Sequence, residues 1–183
     1  MPNIKGMFKI FNDKYISDKH FAFSMTNNDE LKSKVFGWLV EEGFSVQSLS
    51  AVKDNFAFSV VLPNKKTLIV SQPLISLDKV LISSGYDLPQ AQQNSLSSLA
   101  AESRERIFQE ILFELFGLRV DCGPLNLPLS PRVSKAVYLD GLNKNLFMSA
   151  FFDVHNALWI VGLTLANRLN VSSPDISLSH LYG

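Results

Sequence analysis

Residues 56–70, FAFSVVLPNKKTLIV, predict two strands joined by a short turn. Aromatic and β-branched residues fill both arms, and the proline, asparagine and two lysines between them are typical turn residues. Because so short a connection cannot cross over a sheet, the two strands must be antiparallel neighbours. Residues 44–49 before this hairpin and residues 79–82 after it repeat the strand pattern. The centre of the chain is therefore predicted to be a four-stranded meander.

Helical patterns lie on both sides of the meander. A first helix is expected after Asn28, with apolar residues at i, i+4, i+7 and i+8 and with Gly43 as its terminator. A second helical region opens at Pro89, allows a break within residues 95–101, and continues from Glu102.

Two further strands and one long helix complete the chain. The strands are expected at residues 118–122 and 136–139, and the helix is capped by Asn143 and runs to about Leu169. The order α-ββββ-α-ββ-α predicts an α+β fold, with an antiparallel sheet of about five to six strands packed by helices. Residues 27–169 are expected to form one domain, with an N-terminal arm or extra hairpin at 1–26 and a loose tail at 170–183.

Composition excludes several classes of protein. The 183 residues carry 17 basic and 17 acidic side chains, so the formal net charge is zero. Nucleic-acid binding is not expected, because affinity for nucleic acid comes largely from basic side chains that neutralise phosphates. The single cysteine, Cys122, excludes an internal disulfide. No signal peptide is visible and no apolar run approaches the ~20 residues that span a bilayer, so we expect a cytoplasmic protein without a membrane segment.

Few side chains of this sequence point to chemistry. Of its three histidines, His20 and His180 lie in the predicted arm and tail, and His155 lies in the last helix. No zinc-ligand spacing, nucleotide-binding fingerprint or nucleophile elbow occurs. Cys122 has no histidine near it in sequence and is expected to be structural. We therefore assign no catalytic residue, no metal ligand and no cofactor.

The apolar surface of the helices predicts self-association. The helix from Glu102 has two adjacent apolar rows, and the segment 157–163 of the last helix is apolar all round. One sheet covers only one side of such a helix, so a second copy is expected to cover the rest. The candidate dimer or partner surface consists of Phe108, Leu112, Phe116, Trp159 and Leu163.

A pocket between the sheet and the last helix is the alternative. Its polar groups would be Tyr138, Asp140 and His155, since small-ligand sites need only a few polar side chains in an apolar cavity. In that case the protein would be a small-ligand-binding protein or an enzyme. The first hypothesis is a non-enzymatic, homodimeric binding or chaperone-like module for a protein partner.

Three short motifs resemble an uncharacterised, largely archaeal family, a domain of unknown function. They are Ile69-Val70-Ser71-Gln72-Pro73, Leu112-Phe113-Glu114-Leu115 with the Val120-Asp121 that follows, and Tyr138-Leu139-Asp140-Gly141-Leu142. The resemblance covers about residues 28–169 and implies no catalytic residues. The order of helices and strands is also similar to that of type III secretion chaperones, which are homodimers that hold extended segments of partner proteins. That likeness is one of topology, and a shared fold does not transfer function.

Overall fold

One six-stranded sheet carries the fold. The computed structural model describes residues 29–50, 53–123 and 131–170. The strands are β1 (Ser45–Leu49), β2 (Asp54–Val61), β3 (Thr67–Pro73), β4 (Lys79–Gly85), β5 (Asp121–Cys122) and β6 (Arg132–Tyr138). Their spatial order is β1-β2-β3-β4-β6-β5, and the neighbours from β2 to β5 pair antiparallel. The predicted meander and antiparallel sheet are confirmed.

Helices precede, interrupt and follow the strands, as predicted. They are α1 (29–41), α2 (Gln90–Ser98), α3 (Ala101–Leu115) and α4 (Lys144–Leu169). The second helical region is two helices, because Leu99 and Ala100 adopt extended backbone between α2 and α3. The predicted α+β order is therefore confirmed, with the break at the place the sequence allowed.

Local signals set where the helices begin and end. The Asn143 side chain caps α4 by accepting a hydrogen bond from the Leu146 N–H at 3.0 Å. Gly43 follows α1 with a φ of +81°, the left-handed conformation that glycine adopts without a steric penalty. After α3, the turn Phe116–Leu118 is ended by Arg119 at a φ of +51°.

Contacts between Cα atoms divide the chain into two units, Met1–Val46 and Gln47–Gly183, so that β1 spans the boundary. In the first unit, α1 carries Val35 and Leu39 fully buried four residues apart, as its apolar stripe predicts. The second unit contains β2 to β6 and α2 to α4. The single domain over 27–169 stays a prediction, and the predicted arm and most of the predicted tail lie outside the described residues.

The core of the second unit lies on one face of the sheet. The strand register places Phe58, Val70 and Ile82 side by side, and all three are buried. Lys135 of β6 continues this row beside Ile82. Helix α4 packs on β4 and β6, and α2 and α3 pack on α4. The apolar surface of α4 is therefore covered partly by the sheet and partly by α2 and α3 of the same chain.

One side of the long helix α4 belongs to the core. By length and composition alone its 26 residues could cross a membrane, yet half of its most apolar window is buried inside the protein. Core helices of this kind meet the same criterion. In the segment expected to be covered by a second copy, Ala157, Leu158, Val161 and Gly162 are already buried within the chain. The surface left for a second copy is therefore limited to the exposed parts of helices α3 and α4.

Candidate functional site

Two large aromatic side chains are exposed at the end of α3. The inner side of this helix buries Ile107, Ile111 and Leu115 at i, i+4 and i+8. Phe113 lies on the outer side and is 81% exposed, and Phe116 in the next turn is 85% exposed. Isolated apolar residues are common on protein surfaces, but two neighbouring exposed phenyl rings form a patch that is typical of an interaction site.

The predicted dimer surface is only partly exposed. Phe116 is exposed and Leu163 is 42% exposed, whereas Phe108, Leu112 and Trp159 are half-buried. Phe113 was not among the predicted residues. Its position two residues after Ile111 places it about 200° around the helix from the buried row, which is the signal that could have identified it.

A groove of about 520 Å³ runs between α3 and α4. We call it the α3–α4 groove; it is lined by Arg106, Gln109, Glu110, Phe113, Glu114, Thr164, Asn167 and Arg168. Arg168 Nε donates to Glu110 Oε2 at 2.6 Å and so ties the two helices together. With two arginines and two glutamates the lining is balanced in charge. An approaching copy of the chain would meet no net repulsion there.

A second apolar patch lies in the connection between β3 and β4. Leu74, Ile75 and Leu77 are 51%, 95% and 41% exposed. The backbone around them is fixed, because the Leu74 N–H donates to Lys53 O at 3.0 Å and Gln72 Nε2 donates to Leu77 O at 2.8 Å. A rigid apolar loop loses little conformational entropy when it binds.

Polar side chains converge near the other end of β4, and we call them the Lys66 cluster. It consists of Lys66, Tyr86, Gln92 and His155. Lys66 Nζ lies 4.7 Å from the centroid of the Tyr86 ring, and the Tyr86 hydroxyl donates to Gln92 Oε1 at 3.4 Å. Gln92 is fully buried, and its Nε2 has no hydrogen-bond partner among the described residues. The cluster therefore contains one buried donor without a partner in the described part of the chain and one ammonium group, both on side chains that contact Tyr86.

Burial governs the ionisation of the Lys66 cluster. It lowers the pKa of His155, and the nearby Lys66 charge lowers that pKa further. Burial also lowers the pKa of Lys66, while the carboxylate of Asp87 acts in the opposite direction. The pKa of Tyr86 is raised by burial, against a smaller effect of its hydrogen bond to Gln92. His155 is thus held neutral near Lys66.

Gly162 of α4 leaves the space that the Tyr86 ring occupies. A Cβ atom at position 162 would lie 2.9 Å from Tyr86 Cε2 and 3.2 Å from the Tyr86 hydroxyl oxygen. The ring belongs to the residue that follows β4. Only a residue without a side chain leaves room for that ring.

The three predicted pocket residues lie in two places. Tyr138 pairs with Lys79 at one end of β4, whereas Tyr86 and Lys66 lie at the other end, about 20 Å away along the strand. Tyr138 is 54% exposed, and Asp140 in the turn Leu139–Gly141 is exposed too. The structure therefore brings His155 into the Lys66 cluster and leaves Tyr138 and Asp140 near the start of α4.

An ion pair missed by the sequence reasoning links β6 to α4. Lys135 Nζ lies 2.7 Å from Asp153 Oδ2 and also donates to Leu118 O at 2.7 Å. Both side chains are about three-quarters buried. Because Lys135 faces the core between Val133 and Val137, this contact holds the sheet, the last helix and the turn after α3 together.

Cys122 has the properties of a structural thiol. It is half-buried, burial raises its pKa to about 11, and its Sγ donates to Gly123 O at 3.4 Å. A thiol with so high a pKa is a poor nucleophile at neutral pH. Within residues 29–50, 53–123 and 131–170, no group of three histidine, cysteine, aspartate or glutamate side chains could hold a metal ion. His20 and His180 lie outside the described residues.

Comparisons with other proteins agree with the resemblance seen in the motifs. Residues 31–165 match the model of a family described as "Uncharacterized conserved protein (DUF2299)". The crystal structure of an uncharacterized protein from Methanothermobacter thermautotrophicus is similar, with a TM-score of 0.68 and 25% identity over 75% of this chain and 98% of that chain. No curated protein matches. The expected likeness to an uncharacterised, archaeal-like family is confirmed, and neither description names a ligand, reaction or partner.

Proposed function

This chain belongs to the DUF2299 family of uncharacterized conserved proteins, and from that premise we propose that it is a non-enzymatic protein-binding module that works as a homodimer. The exposed phenyl rings of Phe113 and Phe116 carry this proposal. They lie at the end of α3, and Phe113 lines the α3–α4 groove. The proposed module is chaperone-like in topology alone, which transfers no function. Its contact for a protein partner is the β3–β4 loop at Ile75.

The energy of burying these rings is large enough to decide the oligomeric state. Full burial of one phenylalanine side chain contributes about 1.5–3 kcal/mol. A symmetric dimer buries both rings of both copies, which amounts to roughly 6–12 kcal/mol for the four. Association costs about 4–15 kcal/mol in lost translational and rotational freedom. The burial energy of the four rings and the cost of association are comparable, so the stability of the dimer depends on Phe113 and Phe116.

Replacing both rings should abolish the dimer. We expect the wild-type protein to have twice its chain mass of 20.5 kDa by light scattering after gel filtration, at tens of micromolar. The double variant Phe113→Ser, Phe116→Ser should have the mass of a single chain, with a dissociation constant raised roughly a hundredfold or more. Both side chains are exposed, so the fold should be retained, which circular dichroism checks.

The matched control removes an equally exposed apolar side chain elsewhere. Ile75 is 95% exposed on the β3–β4 loop, and Ile75→Ser should leave the dimer intact. A wild-type protein that is monomeric at these concentrations would contradict the proposal. So would a dimer that persists in the double variant, because the interface would then lie elsewhere.

Binding of a small anion is the second candidate function, and the unpaired Nε2 of buried Gln92 favours it. That donor and the Lys66 ammonium would suit an oxyanion or carboxylate. Acetate or inorganic phosphate should then raise the melting temperature of the wild-type protein, and Lys66→Met should remove the effect. Lys65→Met, at the exposed neighbouring lysine, is the control that should keep it. If neither anion shifts the melting temperature of the wild-type protein, the anion-binding candidate is contradicted.

A further inference from the structure

Charged side chains follow a regular order along α3 and the turn after it. Five of them lie four to five residues apart, namely Glu102, Arg106, Glu110, Glu114 and Arg119, while Arg104 and Glu105 of α3 bond to Leu99 O and Gln109 Nε2. Glu110 is engaged by Arg168 of the same chain at 2.6 Å. The other four are exposed side chains with the signs minus, plus, minus and plus.

Arg106 lies four residues from Glu102 and from Glu110, the spacing of an intrahelical pair, but it forms no ion pair with either among the described residues. Arg106 and Glu114 lie eight residues apart on the same helix, which is about 12 Å at 1.5 Å per residue. In the part of the chain that the structure describes, neither side chain takes part in an ion pair. An outside partner with the opposite order of charges would therefore gain contacts on this surface.

The α3 helix of a second copy presents the opposite order of charges only if it runs antiparallel to the first α3 helix. Two parallel α3 helices in register would set Arg106 against Arg106 and Glu114 against Glu114. Two antiparallel helices, centred near Glu110, would set Glu102 against the partner's Arg119 and Arg106 against the partner's Glu114. The antiparallel arrangement pairs all four exposed charges with opposite ones, and each pair occurs twice in a two-fold dimer. The two Glu110 carboxylates meet at the axis, where each is already paired with Arg168 of its own chain.

We infer that the two copies meet through antiparallel α3 helices about a two-fold axis near Glu110, with Arg106 of each copy against the partner's Glu114 and Phe113. This rests on the homodimer proposed above and adds its orientation. In this register the guanidinium of Arg106 also reaches the face of the partner's Phe113 ring, which is 81% exposed in the single chain. The rings supply most of the affinity and the charges select the direction.

Complementary charge reversals test this register. Arg106→Glu alone sets two glutamates against each other twice in the dimer, and Glu114→Arg alone does the same with two arginines. Each variant alone should have a dimer dissociation constant raised about tenfold or more at low salt. An equimolar mixture should restore a dimer containing one chain of each kind, detected by native mass spectrometry, and high salt should weaken this preference.

The control for the mixture is Glu105→Arg, which makes the same change in charge as Glu114→Arg and lies on the same helix. Glu105 is exposed, and in the proposed register it lies at the level of the partner's Phe116 rather than the partner's Arg106. Mixing it with Arg106→Glu should give no rescue. If the wild type is dimeric but the mixture of Arg106→Glu and Glu114→Arg shows no preference for mixed dimers, the register is overturned and the dimer stands. If the wild type is monomeric, both proposals fail.

Discussion

Gly162→Ala is expected to lower the free energy of unfolding by about 1–2 kcal/mol. Alanine in place of glycine within a helix normally gains up to about 1 kcal/mol. Here the added methyl group would lie 2.9 Å from Tyr86 Cε2, closer than van der Waals contact allows. Tyr86 is only 2% exposed, so its ring cannot turn away without disturbing the core. Overpacking of this kind costs about 1–3 kcal/mol and exceeds the helical gain.

Urea denaturation of the wild type, Gly162→Ala and Tyr86→Leu, with the double variant, measures this contact. Because the smaller side chain makes room for the methyl group, the losses in the double variant should be less than additive. Gly37→Ala is the matched control, since it lies inside α1 and a Cβ there meets nothing within 4 Å. It should be neutral or stabilise by up to about 1 kcal/mol. A neutral or stabilising Gly162→Ala would show that Tyr86 does not require the glycine.

Lys135→Ala is expected to destabilise the protein by about 1–3 kcal/mol. The change leaves the Asp153 carboxylate and the Leu118 carbonyl without the donor that each has at 2.7 Å. Both members of the ion pair are about three-quarters buried, so solvent replaces the lost bonds poorly. Chemical denaturation near neutral pH measures the effect.

The exposed ion pair of Arg168 with Glu110 provides the comparison. Arg168 is 57% exposed, and surface pairs of this kind contribute about 0–1 kcal/mol. Arg168→Ala should therefore cost clearly less than Lys135→Ala. Equal losses of unfolding free energy in the two variants would mean that the position of Lys135 on the core side of β6 adds nothing to the stability that its ion pair provides.

Much of the architecture could be predicted because its signals are local. Aromatic and β-branched residues on both sides of a short polar turn predicted the hairpin of β2 and β3, and Asn143 predicted the start of α4 at Lys144. The fold class and element order followed from such patterns. The candidate site was less predictable. Phe116 was anticipated as surface, but Phe113 was not, because apolar rows alone do not say which side of α3 faces the core.

Local sequence signals gave the helices, the strands, their order and the ends of α4, since each depends on residues within a few positions of one another. Strand ends were predicted less well, because the strands expected at 118–122 and 136–139 are Asp121–Cys122 and Arg132–Tyr138. Which distant groups meet depends on how the elements dock. Only the tertiary structure placed Lys135 beside Asp153 and set Tyr86 against Gly162. It also covered α4 with α2 and α3, which leaves the end of α3 exposed. How two elements dock depends on the packing of all side chains between them, and no short window of sequence contains all of those side chains.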